Sequence, residues 1–413
     1  MRTDAAQWSL RAQVAADAIN TGFGHRLLGL PGTWLAHSHC PTRRNFSPWA
    51  EWNYWWQAHY LDALVDSAWR QSTEQSARTG RATRGAFRAA GRPTDRADPF
   101  LQARRLLRTI RLRNFLRLTN NYYDDMAWLA LAAGRMDAMF SIVNSRSHNP
   151  GARGTDGMRC GRRAGRVLGT QLARAHTNDL GGGIFWSRKR DYKNTPASGP
   201  SALYFARNGQ PDRAQSLVDW LRDTLYDPGQ GLYLDGVHPQ AAGPEIERTI
   251  YSYNQGPVLA AMLELGGERN LAHAADLIDA VARQLTAKTV EHEVLENESG
   301  TRSPLRLHGG GDGGLFTGIL VRYLGFAARH SALPERTRRL AADLVLDTAD
   351  ELWEGRRTDP KPAFSSDIGL PAEVSYRAGQ PVELSTQLQA WMTFESAFQL
   401  SRPLAGNFVG VVG

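Results

Sequence analysis

Asn120-Asn121-Tyr122-Tyr123-Asp124-Asp125-Met126-Ala127-Trp128-Leu129-Ala130-Leu131-Ala132 sets two adjacent acids at the head of a strongly apolar run. That run predicts a helix over residues 124–133 that begins at the acid pair. The same periodicity, followed outward, predicts helices at 5–20, 47–71, 98–118, 162–175, 198–207, 211–225, 249–265, 270–285, 312–328, 336–354 and 385–401. Alternation of the strand type is scarce, so the chain reads as all-α. Local chemistry agrees at several ends. Ser47-Pro48 and Asp98-Pro99 each pair a capping residue with proline at the first helical position, and Asn208-Gly209 stops one helix before Pro211 opens the next.

About a dozen helices without intervening strands close as an inner and an outer ring, six helical hairpins making an (α/α)6 toroid; an open solenoid and separate bundles are the alternatives. Glycine-rich, aromatic-flanked loops at 181–183, 229–236 and 308–314 favour the toroid, because such loops line a site held by a rigid scaffold. No fixed-period repeat of the tetratricopeptide or HEAT kind is present. Residues 1–413 read as a single domain, with 73–96 as an exposed, mobile Arg/Gly-rich insertion.

The composition narrows the function classes. In 413 residues, 42% hydrophobic with 12 Trp, there is material for a large core. No stretch approaches the roughly 18 uncharged apolar residues of a membrane span. The first 20 residues are charged throughout and lack the regions of a signal peptide, which points to a cytoplasmic chain. Cys40 and Cys160 are the two cysteines and suggest neither a disulfide framework nor a zinc site. The net charge of +8 comes almost wholly from Arg, since Lys occurs only at 189, 193, 288 and 361. Such a surface suits polyanions, acidic glycans or anionic lipid headgroups, and equally an ordinary solvated basic surface.

Asp124 and Asp125 carry the chemistry. Acids in a first turn commonly cap N–H groups and complement the helix dipole. Two in succession are a different matter, because they diverge by about 100° and reach one cavity only where it sits over the helix end. A pair of carboxylates about 5 Å apart is what a retaining glycosidase requires, one as nucleophile and one as acid then base. Proximity also splits their titrations, so that identical residues take opposite roles. The spacing does not say which takes which.

Sugar-binding chemistry surrounds them in the sequence: Trp49, Trp52, Tyr54, Trp55 and Trp56 in one helix, then Phe185-Trp186, Tyr233, and Tyr251 to Gly256. Pyranose C–H faces stack on such rings, and amides and carboxylates bind the hydroxyls. Five aromatics in eight residues cannot all face one cleft, so part of the first cluster is core. Asp235, in a glycine-flanked aromatic loop, and Asp312 are further candidates for hydroxyl contacts, with turn formation as the alternative role.

Trp55-Trp56-Gln57-Ala58-His59 with Leu61 to Asp66, Tyr123-Asp124-Asp125-Met126-Ala127-Trp128, Gly182-Gly183-Ile184-Phe185-Trp186, Tyr192-Lys193-Asn194-Thr195-Pro196, Tyr253-Asn254-Gln255-Gly256 and Ser385-Thr386-Gln387-Leu388 follow one another in an order that resembles glycoside hydrolase family 76. The resemblance spans about residues 50–400. It implies an (α/α)6 fold and endo-acting, retaining cleavage of α-1,6-mannosidic linkages, with Asp124 as nucleophile and Asp125 as acid/base. It also implies a substrate site drawn from Trp55, Trp56, Tyr123, Trp128, Trp186, Asn194, Asp235, Tyr253, Asn254, Gln255 and Asp312, with neither metal nor cofactor. The chain departs from the pattern at Phe185-Trp186, where relatives often pair two tryptophans, and at Thr317, where lysine is common; these positions bear on subsite specificity.

Other readings remain. His37-x-His39 is the one close histidine pair but lacks a carboxylate at metal-ligand spacing. The triple glycines neither follow a strand nor end in Gly-Lys-Ser/Thr, so they suit backbone approach to a sugar better than a phosphate cradle. A sugar epimerase on the same toroid needs paired bases, for which only His59 and His308 offer themselves. A non-catalytic glycan-binding protein and a polyanion-binding protein are the rivals of another kind. The partners expected are a mannose-containing polysaccharide or lipoglycan and no nucleic acid, with peripheral contact to an anionic glycolipid open to the Arg-rich surface.

Overall fold

A computed structural model describes residues 3–42, 52–82, 98–146, 156–287, 302–377 and 379–402. Its helices are α1 (Ala5–Gly22), α2 (Tyr54–Ala82), α3 (Pro99–Arg113), α4 (Tyr123–Arg146), α5 (Asp156–Ala175), α6 (Thr195–Arg207), α7 (Pro211–Leu225), α8 (Ser252–Leu265), α9 (Glu268–Gln284), α10 (Gly313–Ala328), α11 (Glu335–Glu354), the single turn α12 (Ala372–Ser375) and α13 (Leu384–Leu400).

Helix contacts define two rings. α2 packs on α4, α4 on α6, α6 on α8, α8 on α10, α10 on α13, and α13 returns to α2. Each of these inner helices also pairs with an outer one: α2 with α3, α4 with α5, α6 with α7, α8 with α9, α10 with α11, and α13 with α1. The expected (α/α)6 toroid is therefore present, its last hairpin made from the two ends of the described chain.

The sequence sorts helices between the rings. An outer helix has one buried stripe: on α9 only Asn270, Ala274, Leu277, Ile278, Ala280 and Val281 are buried. An inner helix is covered on both sides and must be acceptable to the core all round. In α10, GGLFTGILVRYLGFAA, every residue from Gly314 to Ala327 is buried. Its one charge, Arg322, pairs with Asp62 at 3.2 Å and Asp66 at 2.7 Å on α2. Arg135 of α4 pairs with the same two acids, so the quartet ties three inner helices together.

Several boundaries moved. α2 continues to Ala82, so the first ten residues of the 73–96 segment are helix rather than an excursion, and 83–96 lie outside the described residues, as do 47–51 and Trp49. α4 extends to Arg146 because Met136, Met139 and Phe140 prolong its buried face beyond Gly134. α3 stops at Arg113 instead of 118, where Asn114 leaves helical geometry and Phe115 and Leu116 adopt left-handed conformations. Short strands also occur. Lys193–Asn194 pairs with Gly236–His238, which pairs with Glu245–Glu247, bracing the loops above one end of the toroid.

Candidate active site

A cleft of about 800 Å³ opens at the end of the toroid where inner helices begin. Trp52 to Trp55 come from the start of α2, Asn120 to Tyr122 with Asp124 and Asp125 from the start of α4, Asn194 from α6, Tyr251 and Tyr253 from α8, and Asp312 and Phe316 from α10. Five inner helices thus aim N-termini at one space, and their partial positive charge favours carboxylates there. Four aspartates answer it: 124, 125, 235 and 312. None of the described lining residues is Lys, Arg or His, although the chain carries a net charge of +8.

Asp124 and Asp125 occupy the first turn of α4. Asp124 accepts at both oxygens, from the Asp125 N–H at 2.9 Å and from the Trp186 indole Nε1 at 3.0 Å. Asp125 accepts through Oδ2 from the Asn120 amide. Asn120 is oriented by its own carbonyl, which accepts from the Tyr122 N–H at 3.0 Å, so that its NH₂ group faces Asp125. Burial pushes the Asp124 carboxyl up to about 7 against the two N–H donors that pull it down. Burial, and then the charge of Asp124, hold Asp125 well above the ordinary carboxylate range. Two donors favour the ionised form of Asp124, and Asp125 has one.

The loop that brings Trp186 is strapped to the head of α4. Tyr123 N donates to Trp186 O at 2.7 Å and Arg188 N to Asn121 O at 2.9 Å. Beneath the strap the buried ammonium of Lys193 donates to the carbonyls of Thr177 (3.1 Å), Asp179, Gly182 and Gly183 (3.3 Å). Gly182 and Gly183 have φ of 144° and 74°, and a Cβ on either would lie within 3 Å of the Trp220 ring. These glycines make room for Trp220, correcting the expectation that they admit a sugar. The Gly229–Gly231 turn likewise serves packing, since Gly231 lies against Ala280 of α9.

Of the remaining expected residues, Trp55, Trp128, Trp186, Asn194, Asp235, Tyr253 and Asp312 line the cleft. Tyr253 stacks on Phe316 with centroids 4.0 Å apart, and Tyr122 packs beside Trp186 at 5.0 Å, giving the cleft aromatic walls. Asn194 also caps α6 by accepting from Ala197 N. Asp312 accepts from the indoles of both Trp55 (3.1 Å) and Trp56 (3.0 Å).

Four expected residues stand behind the wall instead. Trp56 and Tyr123 are buried core side chains. Asn254 is buried and donates to Asp235 at 3.0 Å. Gln255 is consumed by the backbone, accepting from Tyr233 N and donating to Tyr233 O, both at 2.9 Å. The lining residues not anticipated are Asn53, Asn114, Asn120, Asn121, Tyr122, Tyr192 and Phe316, and Trp52, Tyr54 and Tyr251 of the expected aromatic clusters join them. Tyr192 donates to Asp235 at 2.6 Å. The epimerase bases do not reach the lining: burial lowers His59 to about 3 and His308 to about 4.

Comparison with known proteins gives a single direction. The family model described as glycosyl hydrolase family 76 matches residues 36–394. Among solved structures, an α-1,6-mannanase from Salegentibacter sp. HEL1_6 superposes with a TM-score of 0.70 at 24% identity, covering 94% of this chain and 98% of that one. An inactive variant of that enzyme, with two consecutive aspartates replaced by alanine, was solved with an α-1,6-linked mannotetraose; it covers 96% of this chain and 99% of its own. A family 76 mannosidase from Bacteroides thetaiotaomicron VPI-5482 gives 0.67 at 16% identity, covering 95% and 98%. Among curated proteins none is detectably similar in sequence.

Proposed function

We propose that this chain, which belongs to glycosyl hydrolase family 76, cleaves α-1,6-mannosidic linkages inside a glycan with net retention of configuration. The observation that carries the reading is the inequality of two neighbouring carboxyls in one aromatic, base-free cleft. Asp124 receives two N–H donors and Asp125 one. The donors stabilise an anion on Asp124, and burial together with the repulsion between neighbours keeps the proton on Asp125.

In the first step Asp125 gives its proton to the glycosidic oxygen while the Asp124 carboxylate attacks the anomeric carbon. The bond to the leaving saccharide breaks and a glycosyl ester forms. Asp125, now ionised, takes a proton from water, and the resulting hydroxide equivalent displaces Asp124 from the same carbon. The oxocarbenium-like transition state carries positive charge, and the four cleft aspartates face it without any cationic side chain among the described lining residues. Ring faces of Trp186, Tyr253 and their neighbours hold pyranose C–H surfaces, and Asn194, Asp235 and Asp312 address hydroxyls.

Mannan as substrate is supported by the Salegentibacter enzyme, whose consecutive aspartates and α-1,6-mannotetraose complex parallel the arrangement around Asp124 and Asp125. An internal cut fits a cleft volume toward the upper end of small-ligand sites, which span about 300–1,000 Å³. The test is incubation with linear α-1,6-mannan beside Asp124→Asn and Asp125→Asn. Oligosaccharides released by wild type alone, with the newly formed reducing end α by NMR, are expected. Equal activity in Asp124→Asn, or a β product, would overturn the assignment.

A further inference from the structure

We propose that the end of α3 and the adjoining turn at residues 26–32 form a docking face for an anionic membrane surface. The inference starts from Phe115 and Leu116, the most exposed large apolar side chains among the described residues, at 80% and 63%. Both have positive φ, 51° and 64°, a backbone that bulky residues rarely adopt and that here projects their side chains away from the fold. The conformation is built: Asn114 donates to the carbonyls of Arg117 and Thr119, and Arg111 donates to Leu116 O at 3.0 Å.

The 26–32 turn repeats the device. Leu28, again at positive φ, and Leu30 are 55% and 51% exposed. Thr33 anchors the turn from inside, and the Trp34 N–H donates to Thr109 of α3 at 2.9 Å. Thr109 lies about 6 Å along the axis from Arg113, the last residue of α3, and Phe115 follows two residues later, so the hydrogen bond ties both apolar tips to the same end of that helix.

Charge identifies the occupant. On α3, Leu101, Arg104, Arg108 and Arg111 follow one another along one stripe, and Arg26 and Arg117 flank the two tips. Among the described residues no carboxylate forms an ion pair with any of these five arginines. Apolar tips ringed by unpaired arginines match a bilayer interface with anionic headgroups, where the tips enter the acyl boundary and the guanidinium groups meet phosphate. A protein partner would need carboxylates against the arginines and pockets for four separated tips.

The position ties this face to the cleft. Asn114 lines the cleft, and Asn120, six residues on, donates to Asp125. Docking therefore sets the cleft at the membrane surface and selects glycans anchored to lipid, a substrate class that rests on the glycosidase reading above. The glycan itself must not be anionic where it enters, because the described lining of the cleft offers four aspartates and no Lys, Arg or His.

The experiment is cosedimentation of the full chain with phosphatidylcholine vesicles, with and without phosphatidylglycerol, beside two double variants. Phe115→Asn with Leu116→Asn removes the tips while keeping residues that tolerate a left-handed backbone. Arg108→Glu with Arg117→Glu reverses two charges. Wild type is expected to pellet with the anionic vesicles only, and each double variant to bind at least about tenfold more weakly, with the Asn variant hydrolysing soluble mannan as wild type does. Equal binding to neutral vesicles, undiminished binding by both variants, or no binding by wild type would overturn the proposal. So would a wild-type dimer that the Asn variant dissociates, which would give the face to a second copy. Vesicle binding by a protein inert on mannan would uphold the docking face and remove only the mannanase reading.

Discussion

The indole Nε1 of Trp186 donates to Asp124 Oδ2 at 3.0 Å while the same ring packs against Tyr122, centroids 5.0 Å apart, at the rim of the cleft. One side chain thereby holds the carboxylate proposed to attack and forms a surface on which a sugar ring can lie. Trp186→Phe separates the two tasks, because it keeps an aromatic face and removes the donor. A hydrogen bond to a charged group contributes about 1.5–3 kcal/mol, so kcat should fall about 10- to 100-fold with little change in KM. The lost donor favoured the ionised form, so the acidic limb of the kcat/KM profile should move to higher pH. Steady-state rates across pH decide it; an unmoved limb would show that the indole does not act on Asp124.

Lys193 holds the loop that delivers Trp186. Its side chain is fully buried, and its ammonium is shared among backbone carbonyls of the 177–183 segment. In Lys193→Met the stem volume is kept and those carbonyls lose their donor, the two of Gly182 and Gly183 in a buried setting. A cost of about 3–5 kcal/mol is expected, of the size seen when one partner of a buried charged network is removed. Thermal melting monitored by circular dichroism should show it. At a temperature where the variant remains folded, kcat should still be depressed, because the strap from Trp186 to Tyr123 no longer has a fixed base.

The toroid and the position of the acid pair at a helix head were legible because both depend on residue type and period. Apolar runs such as 313–328 admit only a fully buried helix, and Asp124-Asp125 at the head of another can act together only over a helix end. Side-chain direction was not legible. Tyr253 faces the cleft, yet its neighbours Asn254 and Gln255 turn behind it, since consecutive helical residues diverge by about 100°. Asn120 carried a signal that went unused, an amide five residues before Asp125 in a segment rich in asparagine. The cage around Lys193 had none, because its acceptors are backbone carbonyls, which every sequence possesses.

Glycines within helices supply a test of the packing. A Cβ on Gly318 of α10 would lie 2.8 Å from Gln389 Cα and 3.1 Å from Gln389 O, backbone atoms of α13 that no rotamer change can move. On Gly134 of α4 it would meet nothing within 4 Å. Intrinsic propensity favours alanine by about 1 kcal/mol at both positions. Gly134→Ala should therefore raise the melting temperature slightly, whereas Gly318→Ala should lower stability by about 1–3 kcal/mol through forced separation of two inner helices. The same sign for both in chemical denaturation would contradict the close approach of α10 and α13.

The acid pair also links stability to pH, with a sign opposite to that of a salt-bridged carboxylate. Burial and the adjacent charge raise Asp125 well above the ordinary range, and burial raises Asp124 to about 7. The folded state consequently binds more protons than the unfolded chain between the ordinary carboxylate value, about 3.9, and the raised values. Stability from these groups is fully present below that ordinary value and is lost as pH climbs through the raised ones. Asp125→Asn is a permanent mimic of the protonated acid: it removes one titration and one repulsion. Its melting temperature should exceed that of wild type by about 2–5 °C at pH 8, and the two should converge at pH 4. Catalysis should be absent at both. A gap independent of pH, or one that opens toward acid, would mean that Asp125 is not held protonated by burial and its neighbour, and the division of labour between the two aspartates would lose its physical basis.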